Sequence, residues 1–167
     1  VSQSQGSQSL DMESVIKASQ AISGEINLTK LFPAIMKISI ENAGAQKGAL
    51  LLQTEGILNV EIAIGNYGKT ASESQLPYSL INYVARRQQA KIIENSITES
   101  QFSNDPYFKN NHPKSVICIP SIVKGTLMGV VYLEHYAIEN AFTDERVNVL
   151  QLLADQTAIS FDNAKLY

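Results

Sequence analysis

The stretch from Ser115 to Tyr136 most constrains what this chain can fold into. Two apolar runs, Ser115 to Val123 and Thr126 to Tyr136, flank a Lys124-Gly125 turn, which is the pattern of a β-hairpin. Pairing the strands directly across the turn puts Val116, Cys118, Pro120, Ile122, Leu127, Gly129, Val131 and Leu133 on one face. The other face then carries Ser115, Ile117, Ile119, Ser121, Met128, Val130, Tyr132 and Glu134. Neither face suits water, so the sheet is expected to be covered on both sides. Small residues on the first face, Gly129 among them, would let helices pack closely. The second face mixes apolar side chains with Ser, Tyr and Glu, which suits a pocket with a few polar groups. A bulge at Pro120 would exchange the faces of the residues beyond it.

The remaining elements follow from period and punctuation. Residues 1–9, with only Ser, Gln and Gly after Val1, read as a flexible linker, so the domain is expected over 10–167, with function completed by modules beyond it. Met12, Val15, Ile16, Ser19 and Ile22 recur at helical spacing, and a second helix is expected after Asn27, with Pro33 kinking it or delaying its start and Gly44 ending it. Strand-like runs at 48–53 and 58–64 make a first hairpin. Pro77 opens a short helix, Tyr78 to Arg87, and Ile92-Ile93 a short strand. The segment 95–113 reads as a long functional loop or lid. The last helix starts at Thr143 or Asp144 and runs to Tyr167. Hairpins alternating with helices give an α+β class, with helices packed on a mostly antiparallel sheet.

Composition removes several functions. A net charge of −3 with 17% charged residues gives no electrostatic footprint for nucleic acid. One cysteine, Cys118, excludes a disulfide framework and a Cys-clustered metal site, and reads as core. His112 and His135 stand singly, without a second ligand at helical spacing, so metal and haem have no positive support. No apolar run approaches the roughly 20 residues that span a bilayer, and no signal peptide opens the sequence; a cytoplasmic protein without membrane insertion is expected. No catalytic array is present, so these residues are not expected to form an enzyme.

Two surfaces remain as candidates. Tyr83, Phe102, Tyr107, Phe108 and Tyr132 either line a pocket, with Asp105 or Glu134 fixing a polar group, or fill the space between lid and sheet. Together with Ser115, Ile117, Ile119 and Met128 they make the candidate ligand site. On the last helix, Leu152, Ile159 and Leu166 form a stripe apart from the core arc of Val147, Leu150, Leu153, Ala154, Thr157, Ala158, Phe161 and Ala164. Seven-residue spacing suits pairing with a second copy, hence a homodimer; packing on the first helix of the same chain is the alternative.

The order of elements, with 113–120 (PKSVICIP), 129–134 (GVVYLE) and 141–146 (AFTDER), resembles a GAF domain. Residues 18–25 (ASQAISGE) and 40–48 (IENAGAQKG) resemble the GAF modules of cyanobacterial multidomain kinases that carry serine/threonine and histidine kinase modules. The resemblance implies a central antiparallel sheet of about six strands, terminal helices on one face, and a short helix and long loop over a ligand pocket on the other. It implies a regulatory sensor in a signal-transducing kinase, acting through its terminal helices; a ligand-free dimerisation or interaction module is the alternative. Phe142-Thr143-Asp144-Glu145 departs from the family's cyclic-nucleotide pattern, and Cys118 lacks the adjacent His of bilin-attaching members. No cofactor is therefore evident, and any small ligand is unidentified.

Overall fold

The computed structural model describes residues 28–65, 76–96, 98 and 101–165. The expected linker at 1–9 and the helix around Met12–Ile22 lie outside them, as does Leu166. The described elements are α1 (Leu28–Ala43), β1 (Lys47–Thr54), β2 (Ile57–Gly65), α2 (Tyr78–Arg87), β3 (Lys91–Ile93), α3 (Pro106–Asn111), β4 (Ser115–Val123), β5 (Thr126–His135) and α4 (Asp144–Lys165). The class is α+β, with one antiparallel sheet ordered β2-β1-β5-β4-β3. Five strands stand among the described residues, rather than about six.

Helices α1 and α4 cover one face. Leu31, Phe32, Ile35 and Met36 of α1 and Leu150 and Ala154 of α4 share a core with Leu50, Leu52, Ile117, Ile119, Val131 and Leu133. Helices α2 and α3 cover the other face, where Leu80, Ile81, Val84, Tyr107 and Phe108 pack on Ala49, Leu51, Val116, Cys118, Val130 and Tyr132. Pro33 lies inside α1 without breaking it. The helix ends before Gly44, and the Ala45 N–H returns to the Ile40 carbonyl at 3.0 Å. Arg146 Nη1 then donates to the carbonyls of Ala43 (3.0 Å) and Ala141 (2.8 Å), tying the end of α1 to the first turn of α4.

Both hairpins turn on two residues of positive φ, Glu55-Gly56 (54° and 78°) and Lys124-Gly125 (50° and 76°). Such turns match the right-handed strand twist. Each hairpin also carries a bulge, and the bulges decide which side chain faces which layer. In β4–β5, Ile122 pairs with Leu127 as the turn dictates, but Ser121 pairs with Gly129, so Met128 is the extra residue. Beyond it Cys118 faces Tyr132 across the ladder, and Val116 faces Glu134. The direct pairing expected from the turn is therefore corrected for β4. Val116 and Cys118 belong to the α2/α3 side, whereas Ile117 and Ile119 belong to the α1/α4 side. Ser121 likewise turns to the helices, donating from Oγ to the Ala154 carbonyl at 2.6 Å. The kink sits one residue past Pro120 and its extra residue is on the partner strand.

The first hairpin repeats the device. Leu50 pairs with Ile62 and Leu51 with Val60, leaving Glu61 extra. Leu58, Val60, Ile62 and Ile64 would all share one face of a regular strand. The bulge sends Leu58 and Val60 to the α2/α3 core and Ile62 and Ile64 to the α1/α4 core.

Candidate functional site

The lid over the sheet is built from α2, α3 and residues 101–105 before α3. Helix α2 begins after Pro77 and has no capping side chain of its own. Its cap comes from 26 residues away: Asp105 Oδ2 accepts from the Ser79 N–H at 3.1 Å and from the Ser79 hydroxyl. The other carboxylate oxygen, Oδ1, accepts from the Tyr107 N–H at 2.8 Å and caps α3. One buried carboxylate thus satisfies orphan donors at two helix starts. Asp105→Ala is expected to lose about 2–3 kcal/mol in urea unfolding, two caps at once. Asp105→Asn retains an acceptor for one helix only and should lose about half as much.

A cleft of about 500 Å³ opens beside this carboxylate, lined by Leu76, Tyr78, Ser79, Gln101, Phe102, Asn104, Asp105, Pro106 and Tyr107. Of the candidate residues, Phe102, Asp105 and Tyr107 line it. Tyr83 packs edge-on against Phe102 (ring centroids 5.3 Å apart), and Tyr107 against Phe108 (5.9 Å) and Tyr132 (6.4 Å). The structure therefore brings all five aromatics into one lid layer, where they fill much of the space between lid and sheet.

Beneath the cleft lies a buried polar network. Glu134, fully buried on β5, accepts from the Tyr107 hydroxyl at 2.7 Å and from the Tyr132 hydroxyl at 2.5 Å. Lys47 stands opposite Glu134 in the β1–β5 ladder, and its Nζ donates to the Tyr107 hydroxyl at 2.9 Å. The ammonium also lies 4.8 Å from the Tyr107 ring centre. Burial lowers the Lys47 pKa, while the Glu134 charge partly restores it. Burial first, and the Glu134 charge second, raise both tyrosines, so their phenols stay neutral donors to the carboxylate. Tyr107 is the link that ties the lid to the sheet.

Ser115, Ile117 and Ile119 do not join this site. Ile117 and Ile119 lie in the opposite core, and Ser115 Oγ bonds the Ile138 carbonyl at 2.7 Å. Met128 is the buried extra residue of the bulge and belongs to neither core cluster. Lys47 and Ser79 were missed. The signal for Lys47 was available: a lysine heading one apolar strand (KGALLL) and a glutamate ending another (VVYLE) are complementary if the strands pair. The signal for α3 was Asp105-Pro106, a capping residue followed by proline at the first helical position.

Elsewhere, Leu150, Leu153, Ala154, Thr157 and Ala158 of α4 are buried, Leu152 is half-buried and Ile159 is 37% exposed. Cys118 is fully buried, and burial pushes its thiol up. Among the described residues no helix is long and apolar enough to cross a membrane, and no group of three or more His, Cys, Asp or Glu side chains is placed to hold a metal ion.

Comparison with known proteins agrees with this architecture. The chain is 40% identical over 89 residues to the hybrid signal transduction histidine kinase G of Dictyostelium discoideum, covering 53% of this chain and 3% of that protein. It is 25% identical over 170 residues to the peroxide stress-activated histidine kinase mak3 of Schizosaccharomyces pombe, covering 95% of this chain and 7% of that one. The chain thus spans a small fraction, 3–7%, of these relatives. A similar solved fold is the GAF domain of an Acinetobacter phosphoenolpyruvate-protein phosphotransferase, with TM-score 0.77 and 15% identity over 94% of this chain and 95% of that one. The family model described as GAF domain matches residues 27–161. A two-faced antiparallel sheet, with terminal helices on one side and a short-helix lid on the other, accordingly identifies this chain as a member of the GAF domain family.

Proposed function

We propose that this chain is the sensor module of a signal-transducing kinase, in which a small molecule or partner acting on the lid changes kinase output through α1 and α4. One observation carries the reading. Helix α4 packs on β4 and β5, the strands whose opposite face holds Cys118, Tyr132 and Glu134 under the lid. A displacement of Tyr107 is therefore one sheet away from α4. The histidine kinase relatives support such a parent protein. Catalysis is then the work of flanking modules, with a serine/threonine kinase at the other end as in the cyanobacterial pattern.

Phe142 is in the α1/α4 core and Asp144-Glu145 in the first turn of α4, away from the lid, which gives cyclic nucleotides no support. Cys118 within β4 gives bilin attachment none. It also gives none to a thiol-based version of the peroxide response for which one relative is named, because the thiolate is the reactive form and burial disfavours it. Native Cys118 is expected to resist maleimide and hydrogen peroxide at pH 8, and to react readily once urea unfolds the chain. Rapid labelling of the native chain, read by mass spectrometry, would overturn that.

The ligand reading is tested by native mass spectrometry and calorimetry of the chain with cyclic nucleotides and a small-molecule extract. Binding that Tyr107→Phe or Asn104→Ala weakens supports it; no bound species at all favours the second reading. That second reading, a ligand-free dimerisation module, draws on the exposed Ile159. Sedimentation of Leu152→Asp and Ile159→Asp against wild type tests it. A wild-type chain that stays monomeric at tens of micromolar rejects the seam.

A further inference from the structure

The corner between β5 and α4 is organised by one imidazole. His135 ends β5 and is buried, and its Nδ1 accepts from the backbone N–H groups of Ala137 (3.1 Å) and Ile138 (3.2 Å). A backbone N–H can only donate, so Nδ1 must present its lone pair and the single imidazole proton must sit on Nε2. A second proton can enter only at Nδ1, where it would displace both donors. What those two bonds hold extends further. Ser115 Oγ donates to the Ile138 carbonyl at 2.7 Å and accepts from the Ala141 N–H at 3.4 Å. The Asn140 N–H donates to the Glu94 carbonyl at 3.3 Å, and Asn95 Nδ2 to the Glu139 carboxylate at 2.7 Å. The corner ends on the Ala141 carbonyl, held by the same Arg146 guanidinium that grips the end of α1.

We infer that His135 is a proton-operated catch at the root of the terminal helix. Neutral, it holds the 136–141 corner and, through Arg146, the join between α1 and α4. Protonated, it releases Ala137 and Ile138, leaves their N–H groups facing a third donor, and frees the root of α4 to shift. The charges around it come from every neighbouring element. On β4 the residue opposite is uncharged Ser115, flanked by Lys114, whose N–H bonds the His135 carbonyl at 2.9 Å. On β5 the adjacent Glu134 is engaged in the opposite layer. The corner carries Glu139, the segment beside it Glu94, and the first turn of α4 carries Asp144, Glu145 and Arg146. Beyond α1 the contact is uncharged, from Gln46 Oε1 to the Tyr136 N–H at 2.8 Å. The sign follows from the acceptor role: the catch is closed above the imidazole transition and open below it. Histidine is the side chain that ordinarily changes charge between pH 5 and 8. The catch stands whether or not the lid cleft takes a ligand.

The test is long-range proton–nitrogen NMR of the imidazole nitrogens from pH 8 to pH 5, with amide exchange on the same samples. At pH 8, Nδ1 of His135 should be unprotonated. As His135 titrates, protection at Ala137 and Ile138, corrected for the intrinsic rate at each pH, should fall roughly tenfold or more. Amide signals of 143–147 should move with the same midpoint. His112, the other of the two histidines, is exposed at the end of α3, and His112→Asn should leave the response unchanged. His135→Asn offers an oxygen acceptor in place of Nδ1 but takes up no proton, so it should fold and lose the response. A protonated Nδ1 at pH 8 overturns the proposal. So does a corner unmoved by His135 titration, the absence of any His135 titration in this range, or an unchanged response in the Asn variant. Should the Asn variant fail to fold, the wild-type nitrogens and amides decide alone.

Discussion

Glu134→Ala is expected to lose about 3–5 kcal/mol of stability, the range for removing one partner of a buried charge cluster. That is much of what a domain of this size possesses, so the variant should be largely unfolded in mild urea. The cause is specific. Two phenols and an ammonium, at Tyr107, Tyr132 and Lys47, are arranged around this carboxylate in the lid layer. Removing it strands donors that water reaches poorly. Glu134→Gln keeps the shape and one acceptor and should lose about 1.5–3 kcal/mol. A double variant with Lys47→Met should recover part of the Ala loss, because the buried ammonium that stood opposite the carboxylate goes too. If Glu134→Ala unfolds at the wild-type urea midpoint, the network contributes nothing and the lid is held by apolar packing alone.

The same network sets the alkaline behaviour. Tyr107 and Tyr132 have folded-state pKa values above the ordinary value near 10. Above pH 10 the unfolded chain releases these protons and the folded chain keeps them, so stability is full below pH 10 and falls as pH rises beyond it. Lys47, lowered, works the other way: its burial penalty is complete below its folded pKa and is relieved as pH rises towards 10.5. Two strongly raised phenols outweigh one lowered amine, so the net slope above pH 10 is downward. Tyrosinate absorbance should show Tyr107 and Tyr132 ionising only together with unfolding, and Tyr107→Phe should flatten the slope.

Gly129→Ala should be comparably damaging, at about 3 kcal/mol or more, the upper part of the overpacking range. A methyl group at position 129 would sit 2.3 Å from the Leu51 carbonyl oxygen and 3.0 Å from Leu52 Cδ2. Its obstacle is backbone, so β1 and β5 must part at the centre of the sheet, beside the bulge at Met128. Gly48→Ala offers the contrast. Its methyl would meet Leu133 Cδ2 at 2.5 Å and Met36 Cε at 2.8 Å, both far ends of flexible side chains. It should lose only about 1–2 kcal/mol as they rotate away. Equal losses in the two variants, measured by urea unfolding, would show that the sheet yields as easily as side chains do.

Most elements were legible in the sequence, but α3 lies inside the segment 95–113 that reads as a loop. Positive-φ turns at Glu55-Gly56 and Lys124-Gly125, proline before Tyr78, and the periodic arc of α4 are local signals, each set by a few neighbouring residues. The site was legible in part. Aromatics in a polar segment pointed to the lid, and Glu134 on an apolar strand face was read as a polar group of a pocket rather than as the centre of a buried network. Asp105 was one of two carboxylates expected to fix a polar group if the aromatics line a pocket; in the structure both its oxygens accept from the protein, from Ser79 and Tyr107. That arrangement joins residues 26 apart, which no local pattern announces.

What the tertiary structure alone decided was the phase of the strands. With both faces of β4 apolar, alternation carries no preference for one side, so a one-residue slip changes every neighbour without violating the pattern. The bulge at Met128 takes that slip, putting Cys118 beside Tyr132 and turning Ile117, Ile119 and Ser121 towards α1 and α4. The bulge at Glu61 splits four apolar residues of β2 between two cores for the same reason. By itself, the sequence determined a twice-covered antiparallel sheet with helices at its ends, because turns, caps and periodicity are local. Packing two layers at once chose which side chains meet, and with them the Lys47–Tyr107–Glu134 network, because only the assembled layers fill both faces.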